Sequence, residues 1–374
     1  MLQCVHAFRD PARSCKKCRH SEETAFQPSP ALFSRKAHTM QYITLGKTDI
    51  SVSVVALGTW GIGGWMWGGA EESESIRAIH SALDNGINFI DTAPLYGFGY
   101  SEEVVGKALA GRRDSAVLAT KCGIWWEKEP KPEGDGELHV YSTAGALGTA
   151  ENYERILYRY LRPTSIRAEL EASLRRLQTD CVDLYQVHCQ DATASIAETM
   201  ETLLELKKEG KIRAIGVSNV TPEQLAEYQK VGYVDVLQER FSLIDRDVQK
   251  NGMAKTAEEN GMNLLTYSPL AHGLLTGKLS PDTTFAPDDF RSSDPRFAPD
   301  SIAAMNAKLA QLQPLLVKYG LSLVQLVIAW TFSTGPKTNV LCGARSAKHA
   351  SENAMAGSVR LAQEDLDLIN GLFS

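Results

Sequence analysis

The sequence predicts an α/β fold, a (β/α)₈ TIM barrel, on three observations. From Tyr42 onward, short apolar runs alternate with longer helical stretches, eight times over. Such alternation implies a parallel sheet with right-handed crossovers. No G-x-G-x-x-G follows any strand, since Gly61-x-Gly63 is followed by Met66 and Gly97-x-Gly99 by Glu102. The fingerprint of an open dinucleotide-binding sheet is therefore missing. Polar and reactive residues stand at the C-terminal end of strand after strand, as around a barrel mouth.

In chain order, Tyr42–Leu45 and Ile50–Val52 flank Gly46-Lys47-Thr48-Asp49 and read as an N-terminal hairpin plugging the far end of the barrel. Val54–Leu57 is the first strand. Glu71–Asn85 follows as a helix with Ile76, Ile79 and Leu83 on one face and Asn85-Gly86 as its stop. Asn88–Ile90 is a strand, Ser101–Ala110 a helix and Ser115–Thr120 a strand. Ser165–Gln178 is an amphipathic helix carrying Ile166, Leu170, Leu174 and Leu177 on one face. Strand Val182–Val187, helix Ile196–Lys208 and strand Ile212–Val217 come next. Thr221-Pro222-Glu223-Gln224 reads as N-cap, first-turn proline and capping-box Gln. Strand Val234–Leu237, helix Val248–Asn260 and strand Asn263–Tyr267 follow, then helical stretches Ile302–Tyr319 and Leu323–Phe332 before the last strand, Asn339–Leu341. Long loops follow strands three and seven, Gly123–Leu161 and Ala271–Pro299. Loops of this length are functional or disordered, and both leave the active face, so they are expected to serve substrate and cofactor.

With 43% hydrophobic and 22% charged residues, the 374-residue chain has a globular composition. No apolar run reaches the roughly 18 residues of a membrane helix, so a membrane-spanning reading fails. A formal charge of −6 argues against a nucleic-acid binder. Residues 1–40 depart from the rest, with seven Lys/Arg, three Asp/Glu and three of the seven cysteines. They show no hydrophobic periodicity and no secretory h-region. The expected division is a disordered or targeting extension over 1–39 and a barrel domain over 40–374. Arginines and few acids also suit an organellar address, but seven cysteines without a disulfide framework point to the cytoplasm. Cys15-Lys-Lys-Cys18 with His20 is half a zinc site with no second ligand pair, so no metal is expected.

The chemistry gathers at four strand ends. Asp91 ends strand two and Tyr96 follows it; Lys121 ends strand three and His188 ends strand four. Taken singly, Asp91 reads as a turn residue, Lys121 as a surface charge and His188 as a structural histidine. Converging in a barrel, they suit proton transfer to a carbonyl oxygen. A Tyr hydroxyl donates, a nearby Lys lowers its pKa, Asp91 pairs with Lys121, and a neutral His188 donates to the substrate oxygen. None supplies a hydride, so a redox reaction needs a cofactor. Cys122 and Cys189, beside these residues, read as small buried thiols.

Asp91-Thr-Ala-Pro-Leu-Tyr96-Gly-Phe-Gly-Tyr-Ser-Glu102, Leu118-Ala-Thr-Lys121, Asp183-Leu-Tyr-Gln-Val-His188 and Ile215-Gly-Val-Ser-Asn219 resemble the ordered motifs of the aldo-keto reductase family. The likeness runs from Met40 to the C-terminus and is greatest to the bacterial-type branch with short C-terminal tails. Gln238, Tyr267-Ser-Pro-Leu, Gly273-Leu-Leu-Thr-Gly-Lys278 and Asp288-Asp-Phe-Arg291 carry that part. The resemblance implies Asp91, Tyr96, Lys121 and His188 as catalytic tetrad, with Tyr96 the general acid. It puts Ser218, Asn219, Gln238 and Tyr267 at the nicotinamide, and counts Gly58, Thr59, Asp91 and Ser268 among the cofactor-binding residues. Leu270, Gly273, Lys278 and Arg291 fall in the pyrophosphate loop, and Gly343, Arg345, His349, Glu352 and Asn353 at the adenosine end. Trp60 and Trp125, with Tyr96 and His188, would line the substrate pocket. Arg345 at a 2′-phosphate would favour NADP(H) over NAD(H). His349 stands where Gln or Arg often contacts the cofactor, and His188-Cys189-Gln190-Asp191 replaces the more usual His-Trp-Pro-Asp, a change that widens the pocket.

The expected activity is reduction of an aldehyde or ketone by a monomer or weak oligomer acting on a small carbonyl compound. Two alternatives stand beside it. One is a sugar dehydrogenase using the same tetrad in reverse. The other is a cofactor-binding regulatory subunit like the potassium-channel β-subunits that share the fold.

Overall fold

An N-terminal hairpin comes first among the described elements: β1 (Tyr42–Thr44) pairs antiparallel with β2 (Ser51–Ser53). The computed structural model describes residues 39–64, 71–126, 136–138, 157–286 and 289–373. The extension, the Cys15–Cys18 pair and much of the loop after the third barrel strand therefore lie outside the described residues. Alternation in the hairpin turns Leu45, Ile50 and Val52 inward. They join one buried cluster with Ala56, Phe89, Val117, Ala119, Leu184, Ala214, Val236 and Leu265. The expected plug is thus present. Gly46 makes it fit: its φ is +53, and a β-carbon there would stand 2.5 Å from Asp235 Oδ1.

The strands follow in order: β3 (Val55–Gly58), β4 (Phe89–Asp91), β5 (Val117–Cys122), then a small sheet of β6 (Ile124–Trp125), β7 (Glu137–Leu138) and β8 (Tyr158–Arg159). After these come β9 (Val182–Val187), β10 (Ile212–Ser218), β11 (Val236–Arg240), β12 (Asn263–Tyr267) and β13 (Thr338–Gly343). Eight of them, all but the hairpin and the small sheet, close into a parallel barrel with β13 beside β3. The register sets Gly58 beside Asp91, Lys121 beside Gln186 and Ser218 beside Gln238 at the C-terminal rim.

Helices α1 (Glu72–Asp84), α2 (Tyr100–Leu109), α3 (Pro163–Leu177), α4 (Ile196–Lys208) and α5 (Pro222–Val231) wrap the first half. The capping box forms at Thr221 and Gln224 as expected. The helix expected over 248–260 is instead two, α6 (Asp247–Lys250) and α7 (Met253–Glu259), because Gly252 adopts φ 83 between them. The next expected helix also divides, into α8 (Pro299–Ala310) and α9 (Gln313–Tyr319), where Pro314 fits only a first turn. α10 (Leu323–Ser333) precedes the last strand. Two helices absent from the expectation, α11 (Ala347–Ala356) and α12 (Gln363–Phe373), end the chain. Among the described residues no single helix is long and apolar enough to cross a membrane.

Candidate active site

Inward positions on the barrel strands alternate, so each rim side chain is the last of a core column. On β5 the column is Val117, Ala119, Lys121, and on β4 it is Phe89, Asp91. Asp91 and Lys121 are consequently both buried, with Lys121 Nζ 2.6 Å from Asp91 Oδ2. The ammonium also donates to the Thr92 carbonyl oxygen at 2.9 Å and to Tyr96 Oη at 3.2 Å. Burial alone would lower the Lys121 pKa, but Asp91 and Tyr96 beside it carry it above its ordinary value. His188 follows β9, its backbone N–H donating to the Cys122 carbonyl oxygen at 2.9 Å, and its ring meets Tyr96 edge-on at 6.0 Å.

At the Tyr96 hydroxyl two influences oppose each other. Lys121 does pull its pKa down, but burial acts more strongly and Asp91 adds to it, so Tyr96 stands above its ordinary value. Its hydroxyl is therefore held protonated across the neutral range, a state that suits a proton donor.

Two glycines lock Tyr96 in place. A β-carbon on Gly63 would lie 2.5 Å from the Tyr96 carbonyl carbon, and one on Gly97 would lie 2.2 Å from the Gly63 carbonyl oxygen. Ser101 donates to Thr59 Oγ1 at 2.8 Å and lies 3.0 Å from Thr92 Oγ1, tying α2 to the ends of β3 and β4. Glu102 accepts from Thr120 Oγ1 and Arg176 Nε, both at 2.6 Å, which ties it to β5 and α3. The Ser-Glu part of the motif is thus a brace for the loop that carries Tyr96.

Residues assigned to the nicotinamide side by resemblance are linked. Tyr267 Oη donates to Asn219 Oδ1 at 2.8 Å, and Asn219 Nδ2 donates to the His188 carbonyl oxygen at 2.9 Å and to Ser218 Oγ at 3.0 Å. Asn219 and Ser268 hold positive φ angles of 54 and 56, in the left-handed region that costs most residues energy. Gln238 Nε2 donates to Asp91 Oδ1 at 3.0 Å. Thr59, beside Gly58, donates through both its amide and its hydroxyl to the Asp91 carbonyl oxygen at 3.0 Å.

Gly343 and Arg345 are exposed at the end of β13, and α11 begins two residues later, capped by Ser346. His349 is exposed in its first turn, Glu352 pairs with Lys348 at 3.8 Å, and Asn353 donates to the Gly343 carbonyl oxygen at 3.2 Å. In the loop after β12, Leu270 is half-buried, Lys278 is exposed, and Gly273 has φ +99. The guanidinium of Arg291 pairs with Asp289 at 2.6 Å and lies over the Phe285 ring.

On the substrate side, Trp60 stacks near Tyr96 with ring centres 6.3 Å apart. Leu95, Ile124, Leu157 and Cys189 form a patch against which Tyr96, Phe98 and Trp126 pack. Trp125, expected at the pocket, meets the buried Tyr160 at 6.0 Å. Strand alternation in β6 explains why Trp126, rather than Trp125, shares a cluster with Tyr96. The residue that sequence reasoning missed is Gln186, fully buried, whose Nε2 donates to Asp91 Oδ1 at 3.0 Å. The signal was the period of two that places Leu184, Gln186 and His188 on one face of β9.

A barrel closed by eight parallel strands, with a buried Asp91–Lys121 pair reaching the half-buried Tyr96 at its C-terminal rim, defines a class of oxidoreductase, and the comparisons identify it. The aldo/keto reductase family model matches residues 54–373, and the chain belongs to that family. It is 39% identical over 309 residues to "Aldo-keto reductase YhdN" of Bacillus subtilis (strain 168), covering 82% of this chain and 85% of that one. It is 38% identical over 336 residues to the "NADH-specific methylglyoxal reductase" of Escherichia coli (strain K12), covering 88% and 97%. Among solved structures it is similar to the glycerol dehydrogenase AKR11B4 from Gluconobacter oxydans, with TM-score 0.77, 38% identity and coverage of 88% and 94%. It is also similar to the holo form of aldo-keto reductase AKR11C1 from Bacillus halodurans, with TM-score 0.68, 27% identity and coverage of 89% and 96%.

Proposed function

We propose that the chain reduces an aldehyde or ketone to an alcohol, with NADP(H) preferred over NAD(H) and Tyr96 as the proton donor. The observation that carries this reading is the buried run of contacts from Asp91 through Lys121 to Tyr96 Oη. Asp91 fixes Lys121, and Lys121 presents a cation to the Tyr96 oxygen, stabilising the tyrosinate left when the proton goes. His188 stands edge-on to Tyr96, where it can orient a carbonyl oxygen. The same groups serve alcohol oxidation in reverse, with Tyr96 accepting the proton.

A dinucleotide suits the residues present. An added β-carbon on Gly343 would meet nothing within 4 Å, so backbone is open to a ligand there. The ten-residue α11 presents its N-terminus beside exposed Arg345 and His349, a donor set matched to phosphate. Asn219, Ser218, Gln238 and Tyr267 would hold the nicotinamide, and Arg291 and Lys278 the pyrophosphate. When bound, the cofactor supplies the hydride. Residues 1–39 would take no part in this chemistry; Met40 already packs against the barrel's core. Free thiols at Cys122, Cys181 and Cys342 support a reducing compartment such as the cytoplasm.

Reduced-nucleotide consumption by the full chain, with both nucleotides and a panel of small aldehydes that includes methylglyoxal, tests the reading. Consumption with an aldehyde is expected. Arg345→Ala should weaken NADPH binding by about 1.5–3 kcal/mol, the scale of a charged hydrogen bond, and leave NADH nearly unaffected. Equal losses for both nucleotides would remove the 2′-phosphate role from Arg345. Binding without turnover on any carbonyl would favour the regulatory-subunit alternative.

A further inference from the structure

We propose that Gln186 is a positioning residue of the reaction, one that fixes the Asp91 carboxylate so that Lys121 is held beneath Tyr96. The inference rests on the reductase reading of that site.

The two oxygens of Asp91 have separate partners. Oδ2 takes Lys121 Nζ at 2.6 Å. Oδ1 takes two neutral amide donors, Gln186 Nε2 and Gln238 Nε2, each at 3.0 Å. An ionised carboxylate accepts on both oxygens, and two donors on one of them set the rotation of the whole group. With Oδ1 pinned on the side of β9 and β11, Oδ2 can only face Lys121. Gln186 uses its other end as well, since its Oε1 accepts from Gln238 Nε2 at 3.3 Å. The orientation of the amide is thereby determined: turned over, it would set its oxygen against a carboxylate oxygen.

The neighbouring strand makes room for this side chain. A β-carbon on Gly216 of β10 would lie 2.6 Å from Gln186 Cγ and 3.2 Å from Oε1. Position 186 is also costly ground for an amide. Its column on β9 begins with Leu184, which belongs to the apolar interior of the barrel, and Gln186 is itself 0% exposed. A buried amide is tolerated there only while its donors and acceptor are satisfied, and an apolar side chain would fill the layer at lower cost. What an apolar residue would not do is hold Asp91 Oδ1. The arrangement gives up packing economy for control of a carboxylate in contact with Lys121.

The test is a double-mutant cycle on kcat, with cofactor Kd and melting temperature recorded for each variant. Gln186→Leu should lower kcat about tenfold or more, the scale for losing one hydrogen bond to a charged group, with cofactor Kd little changed. In an Asp91→Ala background the same substitution should cost nothing further, because the carboxylate it positions has gone. Gly216→Ala offers an independent route: its new methyl displaces Gln186, so it should lower kcat alone and be silent when added to Gln186→Ala, which has no Cγ for the methyl to meet. A merely structural role would lower melting temperature without this pattern of non-additivity. Unchanged kcat in Gln186→Leu, or equal falls in both Asp91 backgrounds, would overturn the proposal while leaving the reductase reading intact. No turnover by the parent chain on any carbonyl would overturn both.

Discussion

Gly63 stands so close beneath Tyr96 that a β-carbon on it would lie 2.5 Å from the Tyr96 carbonyl carbon and 2.7 Å from the next amide nitrogen. Both are backbone atoms, so neither can turn aside as a side chain would. The backbone of Gly63 itself is unremarkable, with φ −61, and it is space alone that excludes a larger residue.

Gly63→Ala should therefore move Tyr96 away from Lys121 without touching either side chain. A displacement on the order of 1 Å at a reacting group costs about 10²-fold in rate, and kcat should fall by that order. Steady-state turnover together with cofactor affinity checks this, the affinity being expected to hold because no assigned cofactor residue is altered. Wild-type kcat would mean that the loop yields and that Tyr96 is not set by this contact.

Lys121→Met should raise the Tyr96 pKa further, since burial already lifts it and the cation is what restrains the rise. The direction follows for alcohol oxidation, where Tyr96 must be deprotonated to accept a proton: the rate rises with pH through the Tyr96 pKa. Removing Lys121 should move that limb to higher pH and slow turnover at neutral pH. A pH profile of kcat in the oxidative direction reads it, and an unmoved limb would show that another group titrates there.

Glu239 follows Gln238 on β11, and one of its oxygens accepts the Val220 N–H at 3.1 Å. Burial raises its pKa from 4.5 to about 7, against the pull of the Val220 and Asn219 amides. Because the folded value lies above the unfolded one, its contribution to stability is full below about pH 4.5 and is lost as pH rises to about 7. Glu239→Gln keeps an acceptor for Val220 and cannot ionise. The variant should gain on the parent protein by about 3 kcal/mol at most across that window, and by no more above it. Denaturant melts of both proteins at several pH values measure the difference, and a constant difference would mean that Glu239 is not desolvated in the folded chain.

Much of this was legible before any coordinates. Runs such as Val182–Val187 and Asn263–Tyr267 fall on strands with unchanged ends, because both faces of a barrel strand are buried and apolar residues predominate in each run. Asp91, expected at the end of strand two, is the last residue of β4, where it pairs with Lys121 instead of serving as a turn residue. The helix α11 was missed because its buried residues include Ala350, Ala354 and Ala356, which leave only a faint stripe. Gln186 was quoted within a motif yet given no role. Its importance depends on Gly216 and Gln238, which adjoin it only once the barrel closes.

The central claim is that Tyr96 gives its proton to the carbonyl oxygen, and Tyr96→Phe tests it most directly. Phe keeps the ring that Trp60 and His188 meet and removes only the hydroxyl that Lys121 contacts. The measurement is kcat for aldehyde reduction by the variant, beside its cofactor Kd. A fall of about 10²–10⁴-fold, the usual contribution of general acid catalysis, with cofactor Kd nearly unchanged, is the predicted result. Turnover close to that of the unaltered protein would contradict it, because another group or a water would then be donating the proton.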